Sequence, residues 1–213
     1  MLSALFPHRD WSAVRYVGFD MDGTLYDEFT FITQAYDSVL DACADRLTDK
    51  ELARAFMEFR WLEKGSSYNR IFEETHVRFG KDVNAEGREA FIRDALEAFR
   101  NVVPKLSLSA RAAFWLHYFA QSCQVFLVTD GGGALQRRKA KALDLARYIP
   151  EDRMVFTSEL GSGMEKRRLT LSNFPLSLDP GNVVFFGDRE QDRIFSQNLG
   201  FHFVKVHDMT AIG

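Results

Sequence analysis

The sequence predicts an α/β protein, in which a parallel sheet is interrupted after its first strand by a long helical insertion. Three observations support this prediction. A short apolar run at 14–19 suits a buried strand, because β-branched and aromatic side chains fit a pleated sheet. Residues 29–103 then show only helical spacings of apolar residues. From residue 104 onward strands and helices alternate, which is typical of parallel β-α-β units.

Four helices are predicted within the insertion, from apolar residues spaced by three and four positions. These residues are Phe31, Ala35 and Val39, then Leu52, Phe56 and Phe59, then Ile71, Phe72 and Phe79, and finally Phe91, Ala95 and Phe99. Glycines follow the second and third helices at Gly65 and Gly80, where glycine commonly ends a helix. We expect the aromatic residues of the insertion, including Phe59 and Trp61, to form its own core.

The remaining chain supplies four more strands. Pro104 ends the insertion, because proline interrupts a helix. The strands are predicted at 124–128, 154–156, 183–186 and 203–206, with helices at 109–119, 134–147, 165–173 and 190–198. The sequence therefore predicts a five-stranded core formed by residues 1–28 and 104–213, with residues 29–103 as a separate helical subdomain.

The composition of the chain indicates which binding partners and which cellular location to expect. A net charge of −3 gives no electrostatic reason to expect a nucleic-acid or membrane partner. No segment offers the roughly 20 apolar residues that a membrane helix needs. Residues 1–11 lack a basic leader and a long apolar run, so we expect no signal peptide. Two distant cysteines, Cys43 and Cys123, favour reduced thiols in a cytoplasmic protein.

The first strand leads into the stretch DMDGTL, which places two carboxylates directly after the strand. Asp20 and Asp22 would lie at the carboxyl end of the sheet, where open α/β sheets bind ligands. A polar turn is the plainer alternative, since turns favour Asp and Gly. A calcium-binding EF-hand loop does not fit, because it needs glycine at position six and glutamate at position twelve, where this chain has Leu25 and Phe31.

The strand predicted at 124–128 leads into Thr129, Asp130 and Gly131, and a helix follows. Glycines allow backbone N–H groups to approach a phosphate, and a helix N-terminus favours negative charge. This loop therefore indicates an anion site, although an ordinary flexible loop would have the same composition.

A lysine is needed to offset the charge of a phosphate that faces carboxylates. We favour Lys166, which follows the third strand and a glycine-containing loop. The competitors Lys139 and Lys141 lie mid-helix beside two arginines, which is more simply a solvated basic face. Because exposed lysines are common on helices, Lys166 could also be an ordinary surface residue.

The fourth strand leads into the sequence GDREQD, which contains Asp188 and Asp192. Mg²⁺ prefers oxygen ligands and is often held by one or two carboxylates together with substrate phosphate, so these acids are candidate metal ligands. Alternatively, Asp188 is a turn residue and Asp192 favours the N-terminus of a helix.

Together these four stretches resemble the motifs of the haloacid dehalogenase-like superfamily of phosphatases and phosphotransferases, in the same order. The resemblance implies a Rossmann-like core and a helical cap that closes over the active site. It implies that Asp20 is the nucleophile and Asp22 the general acid/base. Family members often have Asn where this chain has Asp130, and proline after the lysine where this chain has Arg167.

The resemblance also implies the remaining roles. Thr129, Asp130, Gly131 and Lys166 would bind phosphate. Mg²⁺ would be held by Asp20, Asp188, Asp192 and the backbone carbonyl of Asp22. The expected activity is Mg²⁺-dependent hydrolysis of a small phosphorylated metabolite through an aspartyl-phosphate. A phosphosugar mutase and a non-catalytic protein that binds a phosphorylated ligand remain alternatives, and the sequence indicates neither the substrate nor the oligomeric state.

Overall fold

The computed structural model of the chain describes residues 10–82 and 84–206. Most of the N-terminal segment that we expect to carry no signal peptide lies outside these residues. Within them, five strands form one sheet: β1 (Tyr16–Phe19), β2 (Gln124–Thr129), β3 (Met154–Phe156), β4 (Val183–Gly187) and β5 (His202–Lys205). All the pairings are parallel and the order is β3-β2-β1-β4-β5, so the predicted Rossmann-like α/β core is confirmed.

Seven α-helices accompany the strands in the described part of the chain. They are α1 (Glu28–Ala42), α2 (Lys50–Lys64), α3 (Ile71–Phe79), α4 (Ala85–Asn101), α5 (Ala110–Ala120), α6 (Gly133–Ala142) and α7 (Glu190–Leu199). No helix in the described ranges has the length and apolar character needed to cross a membrane. The four predicted helices of the insertion and three of the four helices predicted in the rest of the chain thus occur in the predicted order.

The contacts divide the chain into two compact units. One consists of Met1–Glu28 with Leu106–Gly213, and the other of Phe29–Lys105. The second unit has its own aromatic core, in which Phe99 lies 5.7 Å from Phe31 and 5.9 Å from Phe72, between ring centroids. The function of this unit as a cap stays a prediction.

The sheet is covered on both faces by aromatic residues. Phe185 and Phe186 are neighbours on β4 and therefore point to opposite faces. The ring of Phe185 lies 4.9 Å from Phe195 of α7, whereas the ring of Phe186 lies 5.6 Å from Phe119 of α5. All four are buried, which explains why strands of a parallel sheet read as continuous apolar runs.

The prediction of one helix over 165–173 is wrong. Two short 3₁₀ turns, Lys166–Arg168 and Leu171–Asn173, take its place. The side chain of Asn173 accepts a hydrogen bond from the backbone N–H of Thr170 at 2.8 Å, and the carboxylate of Asp130 accepts one from Lys166 N–H at 2.9 Å. These bonds satisfy the backbone locally and so compete with a continuous helix.

Two smaller expectations also fail. The helix predicted at 134–147 ends at Ala142, because Asp144 adopts a left-handed conformation with φ of 51°. Phe59, which we expected in the core of the insertion, is 63% exposed. The buried residues of α2 are Ala53 and Met57, so the larger apolar side chains of this helix do not mark its packed face.

We expect Phe195→Ala to lower the free energy of unfolding by about 3–5 kcal/mol, because it removes a fully buried ring between two other aromatic side chains. Denaturant titration followed by circular dichroism measures the change. Ile194→Ala on the same helix is the matched control, since Ile194 is 40% exposed and its truncation should cost far less. Equal losses in the two variants would contradict the assignment of the packed face.

Candidate active site

Polar side chains meet where three neighbouring strands end. Because β2, β1 and β4 lie side by side, Thr129, Asp20 and Asp188 reach the same edge of the sheet. The turn after β1 contains Gly23, whose φ of +75° is in the left-handed region that favours glycine. A Cβ at Gly23 would also collide with the carboxylate of Asp188. This glycine therefore allows the first and fourth predicted motifs to approach each other.

Asp20 is buried and both of its carboxylate oxygens have partners. Lys166 Nζ donates to Oδ1, and Thr24 Oγ1 donates to Oδ2 at 3.2 Å. Burial raises the pKa of Asp20 above its usual value, and the nearby Asp192 and Asp22 carboxylates act in the same direction, against the opposing effect of Lys166. The carboxylate thus lies in a site that needs positive charge to hold it ionised.

Lys166 supplies one such charge. Its ammonium contacts Asp20 and also lies 2.6 Å from Oδ1 of Asp192, and its side chain is almost completely buried. Burial alone would lower the pKa of Lys166, but the two carboxylates raise it above its usual value. Lys166, and not a surface lysine, is therefore the cation next to Asp20.

Three carboxylates form a candidate metal centre. Oxygen atoms of Asp20, Asp188 and Asp192 lie within 4.8 Å of one another. Oδ1 of Asp188 is buried and lacks a hydrogen-bond partner among the described residues, as a ligand atom awaiting a cation would. Burial raises the pKa of Asp188, which a bound cation would offset. These oxygens fit the preference of Mg²⁺ for hard carboxylate ligands.

Both carboxylate oxygens of Asp192 have hydrogen-bond partners within the protein. Oδ1 contacts Lys166, and Oδ2 accepts a hydrogen bond from the backbone N–H of Arg189 at 3.1 Å, at the start of α7. A Cβ at Gly187 would collide with Asp192, so glycine at the end of β4 lets this side chain lie against the strand. Both oxygens of Asp192 therefore have protein partners, unlike Oδ1 of Asp188 within the described part of the chain.

Asp22 is held by three donors. Lys139 Nζ lies 2.7 Å from Oδ1, Gln136 Nε2 lies 2.7 Å from Oδ2, and the hydroxyl of Tyr26 donates to Oδ1. Burial acts to raise the pKa of Asp22, but Lys139 and the hydrogen bonds outweigh it and the pKa is lowered. Burial and Asp22 also raise the pKa of Tyr26, which keeps its phenol a donor.

The expectation that Lys139 belongs to a solvated basic face is therefore wrong. Its side chain is 5% exposed and forms an ion pair with Asp22, whereas Lys141 on the same helix is exposed. Gln136 and Tyr26 were not among the predicted residues either. The only signal in the sequence was the spacing of Gln136 and Lys139 by three positions, which places them on one face of α6.

The carboxylate of Asp130 binds protein donors. Its Oδ1 accepts hydrogen bonds from Thr157 Oγ1 at 2.7 Å and from the backbone N–H of Lys166 at 2.9 Å. The carboxylate thus connects the end of β2 to the segment that carries Lys166. An Asn side chain also offers one such carbonyl oxygen, so Asp130 can do here what the amide of the more common Asn would do.

Thr129 and Gly131, the other residues of the predicted anion-binding loop, lie at the same edge of the sheet. Thr129 is buried, and its hydroxyl accepts a hydrogen bond from Gln136 Nε2 at 2.8 Å. Gly131 has φ of +108° and precedes the N-terminus of α6. A cavity of about 50 Å³ is lined by Asp20, Asp22, Thr129, Asp130, Lys166, Arg189, Gln191 and Asp192. Six of the eight predicted site residues line this cavity. Of the other two, Gly131 directly follows Asp130, and Asp188 has its carboxylate where it would collide with a Cβ at Gly23.

Comparison with solved structures shows the same fold at low sequence identity. A protein assigned as the HAD hydrolase YfnB from Bacillus subtilis, solved bound to magnesium, shares 16% identity over 89% of this chain and 85% of its own, with a TM-score of 0.63. A protein assigned as a beta-phosphoglucomutase from Thermotoga maritima shares 16% over 93% and 98%, with a TM-score of 0.60. L-2-haloacid dehalogenase from Xanthobacter autotrophicus shares 17% over 90% and 77%, with a TM-score of 0.54. These likenesses establish the fold alone.

No curated protein sequence matches the chain. A family model does match it, over residues 14–200, and this model describes haloacid dehalogenase-like hydrolases. The match spans both compact units and every predicted site residue. The chain therefore belongs to the haloacid dehalogenase-like hydrolases, a family of enzymes that act on small molecules.

Proposed function

We propose that the protein is a Mg²⁺-dependent phosphomonoester hydrolase that acts on a small phosphorylated metabolite through an aspartyl-phosphate. The observation that carries this proposal is the contrast between two aspartates at the end of one strand. Asp20 contacts Lys166 beside the acidic cluster, whereas Asp22 is bound by Lys139 and Gln136. A cation bound in the acidic cluster would keep Asp20 ionised as a nucleophile, and Asp22, held by donors of its own, is left to carry the proton.

Asp20 and Asp188 would hold the metal together with the backbone carbonyl of Asp22, and Asp192 would act through water. When bound, Mg²⁺ would neutralise negative charge on the carboxylates and the phosphate, which otherwise repel each other. Support comes from the three carboxylates within 4.8 Å and from the unpaired Oδ1 of Asp188 among the described residues.

In the first step, an oxygen of Asp20 attacks the phosphorus atom, and the bond from phosphorus to the leaving oxygen breaks. Asp22 gives its proton to the leaving alkoxide. The negative charge that a dianionic phosphate brings next to Asp22 favours its protonated form, which this step needs. The products are an aspartyl-phosphate on Asp20, an ionised Asp22 and a free alcohol.

In the second step, a water molecule attacks the phosphorus atom and gives one proton to Asp22. The bond between phosphorus and Asp20 breaks, which releases inorganic phosphate and restores both aspartates to their starting forms. Lys139 holds Asp22 in the ionised form that accepts this proton. Throughout, Lys166, Thr129 and the backbone N–H groups near Gly131 would stabilise the equatorial oxygens of the phosphoryl group.

Three alternatives are distinguished by their chemistry. A dehalogenase is disfavoured, because a departing halide needs no proton, and the resemblance associates an acid at the position of Asp22 with phosphoryl transfer. A phosphosugar mutase would transfer the phosphoryl group to a second hydroxyl group, so an isomeric phosphosugar would accumulate in place of phosphate. A non-catalytic protein that binds a phosphorylated ligand would release neither product.

Two further proposals follow from the resemblance and the cysteines. We propose that the unit Phe29–Lys105 serves as the cap that selects the leaving group, as the resemblance implies for an insertion at this point in the chain. We also propose a cytoplasmic location, because Cys43 and Cys123 are both free thiols.

The first prediction concerns the nucleophile. With Mg²⁺ present, we expect phosphate release from at least one member of a panel of phosphorylated sugars, nucleotides and small acids. Asp20→Asn should lose this activity by a factor of roughly 10⁴ or more, because an amide cannot attack phosphorus, while its circular dichroism spectrum stays unchanged. Wild-type turnover by Asp20→Asn would remove Asp20 from this role.

The second prediction concerns the metal. Asp188→Asn should raise the Mg²⁺ concentration that gives half-maximal activity by roughly tenfold or more, because a neutral amide replaces an anionic ligand. Chelation with EDTA should abolish wild-type phosphate release, and added Mg²⁺ should restore it. Glu190→Gln, an exposed acid two residues away, is the matched control and should leave the Mg²⁺ dependence unchanged.

The third prediction concerns Asp130. Asp130→Asn keeps a carbonyl oxygen for the N–H of Lys166 and the hydroxyl of Thr157, so turnover should stay within a few-fold of wild type. Asp130→Ala removes both acceptors and should lower turnover by roughly tenfold or more, since small displacements of a catalytic group are costly. Steady-state phosphate release measures both variants, and equal activity in the two would show that Asp130 does not position Lys166.

A further inference from the structure

Helix α6 directs two polar side chains inward, and one of them is among the four charged residues of its ten. Gln136 and Lys139 are 2% and 4% exposed, whereas Arg137 and Lys141 on the same helix are exposed. A lysine is almost never fully buried unless it is paired, because removal of its charge from water is costly. The two buried side chains lie three positions apart on one helical face, and both reach Asp22.

Each of the two contacts a different oxygen of Asp22. Lys139 Nζ is 2.7 Å from Oδ1, and Gln136 Nε2 is 2.7 Å from Oδ2. A carboxylate that is bound through one oxygen can still rotate about its last torsion, whose energy well is broad. The hydroxyl of Tyr26 also donates to Oδ1, so Lys139 is the charged partner of Oδ1 and Gln136 the donor to Oδ2. Contacts to both oxygens fix the plane of the carboxylate as well as its place.

The amide of Gln136 is incompletely hydrogen-bonded in this position. Its Nε2 faces three acceptors with two protons: Asp22 Oδ2, Thr129 Oγ1 at 2.8 Å and the carbonyl oxygen of Asp130 at 2.6 Å. Its Oε1 is buried without a hydrogen-bond partner among the described residues. Rotation of the amide would bring Oε1 against the oxygens of Asp22 and Asp130, so the orientation with Nε2 toward them is the chemically required one.

A buried, unpaired amide oxygen destabilises a fold, and such atoms call for a functional explanation. We propose that Gln136 and Lys139 are positioning residues, which fix both oxygens of the Asp22 carboxylate in the orientation needed for proton transfer. This inference rests on the proposed function, because it assigns the two residues to the acid/base of that reaction. Neither residue is placed in contact with the substrate.

The inference predicts which step of the reaction the two residues affect. With p-nitrophenyl phosphate, the leaving p-nitrophenolate is stable without a proton, so formation of the aspartyl-phosphate on Asp20 does not need Asp22. Attack by water on that intermediate still requires Asp22 as the base. A variant that removes the charged partner of Oδ1 or the donor to Oδ2 leaves Asp22 less well oriented, and it should therefore form the phosphoenzyme normally and hydrolyse it slowly.

The experiment uses the full-length enzyme with Mg²⁺ and p-nitrophenyl phosphate in a stopped-flow instrument. We expect Lys139→Met to give a burst of p-nitrophenolate near one equivalent of enzyme, followed by steady-state turnover lowered by roughly a hundredfold. Gln136→Leu should give the same burst with a smaller loss, because a neutral amide is replaced. The two variants test the inference separately, so that it stays testable if one of them does not fold by circular dichroism.

Two comparisons separate positioning from a merely structural role. Lys141→Met is the matched control on the same helix and should behave as wild type, since Lys141 is exposed. In the Asp22→Asn background, Lys139→Met should cause little further loss, because both changes act on the same group. Loss of the burst in parallel with turnover, an additive loss in the double variant, or wild-type turnover by both Lys139→Met and Gln136→Leu would overturn the inference.

Failure of the proposed function has a different signature. It would appear in the wild-type enzyme, as the absence of a phosphorylated enzyme and of phosphate release from p-nitrophenyl phosphate and from every member of the substrate panel, and it would overturn the inference as well. Failure of the inference alone would appear only in the variants, with wild-type activity intact.

Discussion

The site can exist because two lysine ammonium groups are buried together with the aspartates. Asp20, Asp22 and Asp192 lie close together with little access to water, and three like charges in that setting would repel each other strongly. Lys166 contacts two of these carboxylates and Lys139 contacts the third. Removal of one partner from a buried ion pair leaves an uncompensated charge that costs about 3–5 kcal/mol, so each pair also fixes the segment that supplies its lysine.

The two lysines come from different segments, Lys139 from α6 and Lys166 from the 3₁₀ turn that begins with it. Hydrogen bonds to the end of β2 hold each segment in place. Asp130, at the end of β2, accepts from the backbone N–H of Lys166, and Gln136 donates to the carbonyl oxygen of Asp130 while its helix carries Lys139. One residue after β2 therefore ties both cations to the strand that neighbours β1. The order of the strands is what makes this possible, since β2 and β4 flank the strand that ends in Asp20.

Local patterns predicted the strands, most helices and the acids at the strand ends, because apolar periodicity and turn chemistry are properties of short segments. What they could not predict depends on contacts between distant segments. Lys139 and Lys141 look alike in sequence, and only packing of α6 beside Asp22 buries the first. The helix expected at 165–173 gives way to 3₁₀ turns for the same reason, since one of the bonds that replace it comes from Asp130. The exposure of Phe59 could not be predicted either, because helical spacing shows which residues share a face of a helix but not which face packs against the rest of the protein.

The chemical asymmetry of Asp20 and Asp22 follows from these distant contacts and not from the turn that carries them. Both side chains leave the same short stretch, and each meets one lysine. Asp20 shares its lysine with Asp192, and burial, helped by the nearby carboxylates of Asp192 and Asp22, raises its pKa despite that lysine. Asp22 has its lysine together with two neutral donors, which lower its pKa. A cation that binds beside Asp20 would therefore complete the charge balance on one side of the turn, while Asp22 on the other side is already balanced by the chain itself.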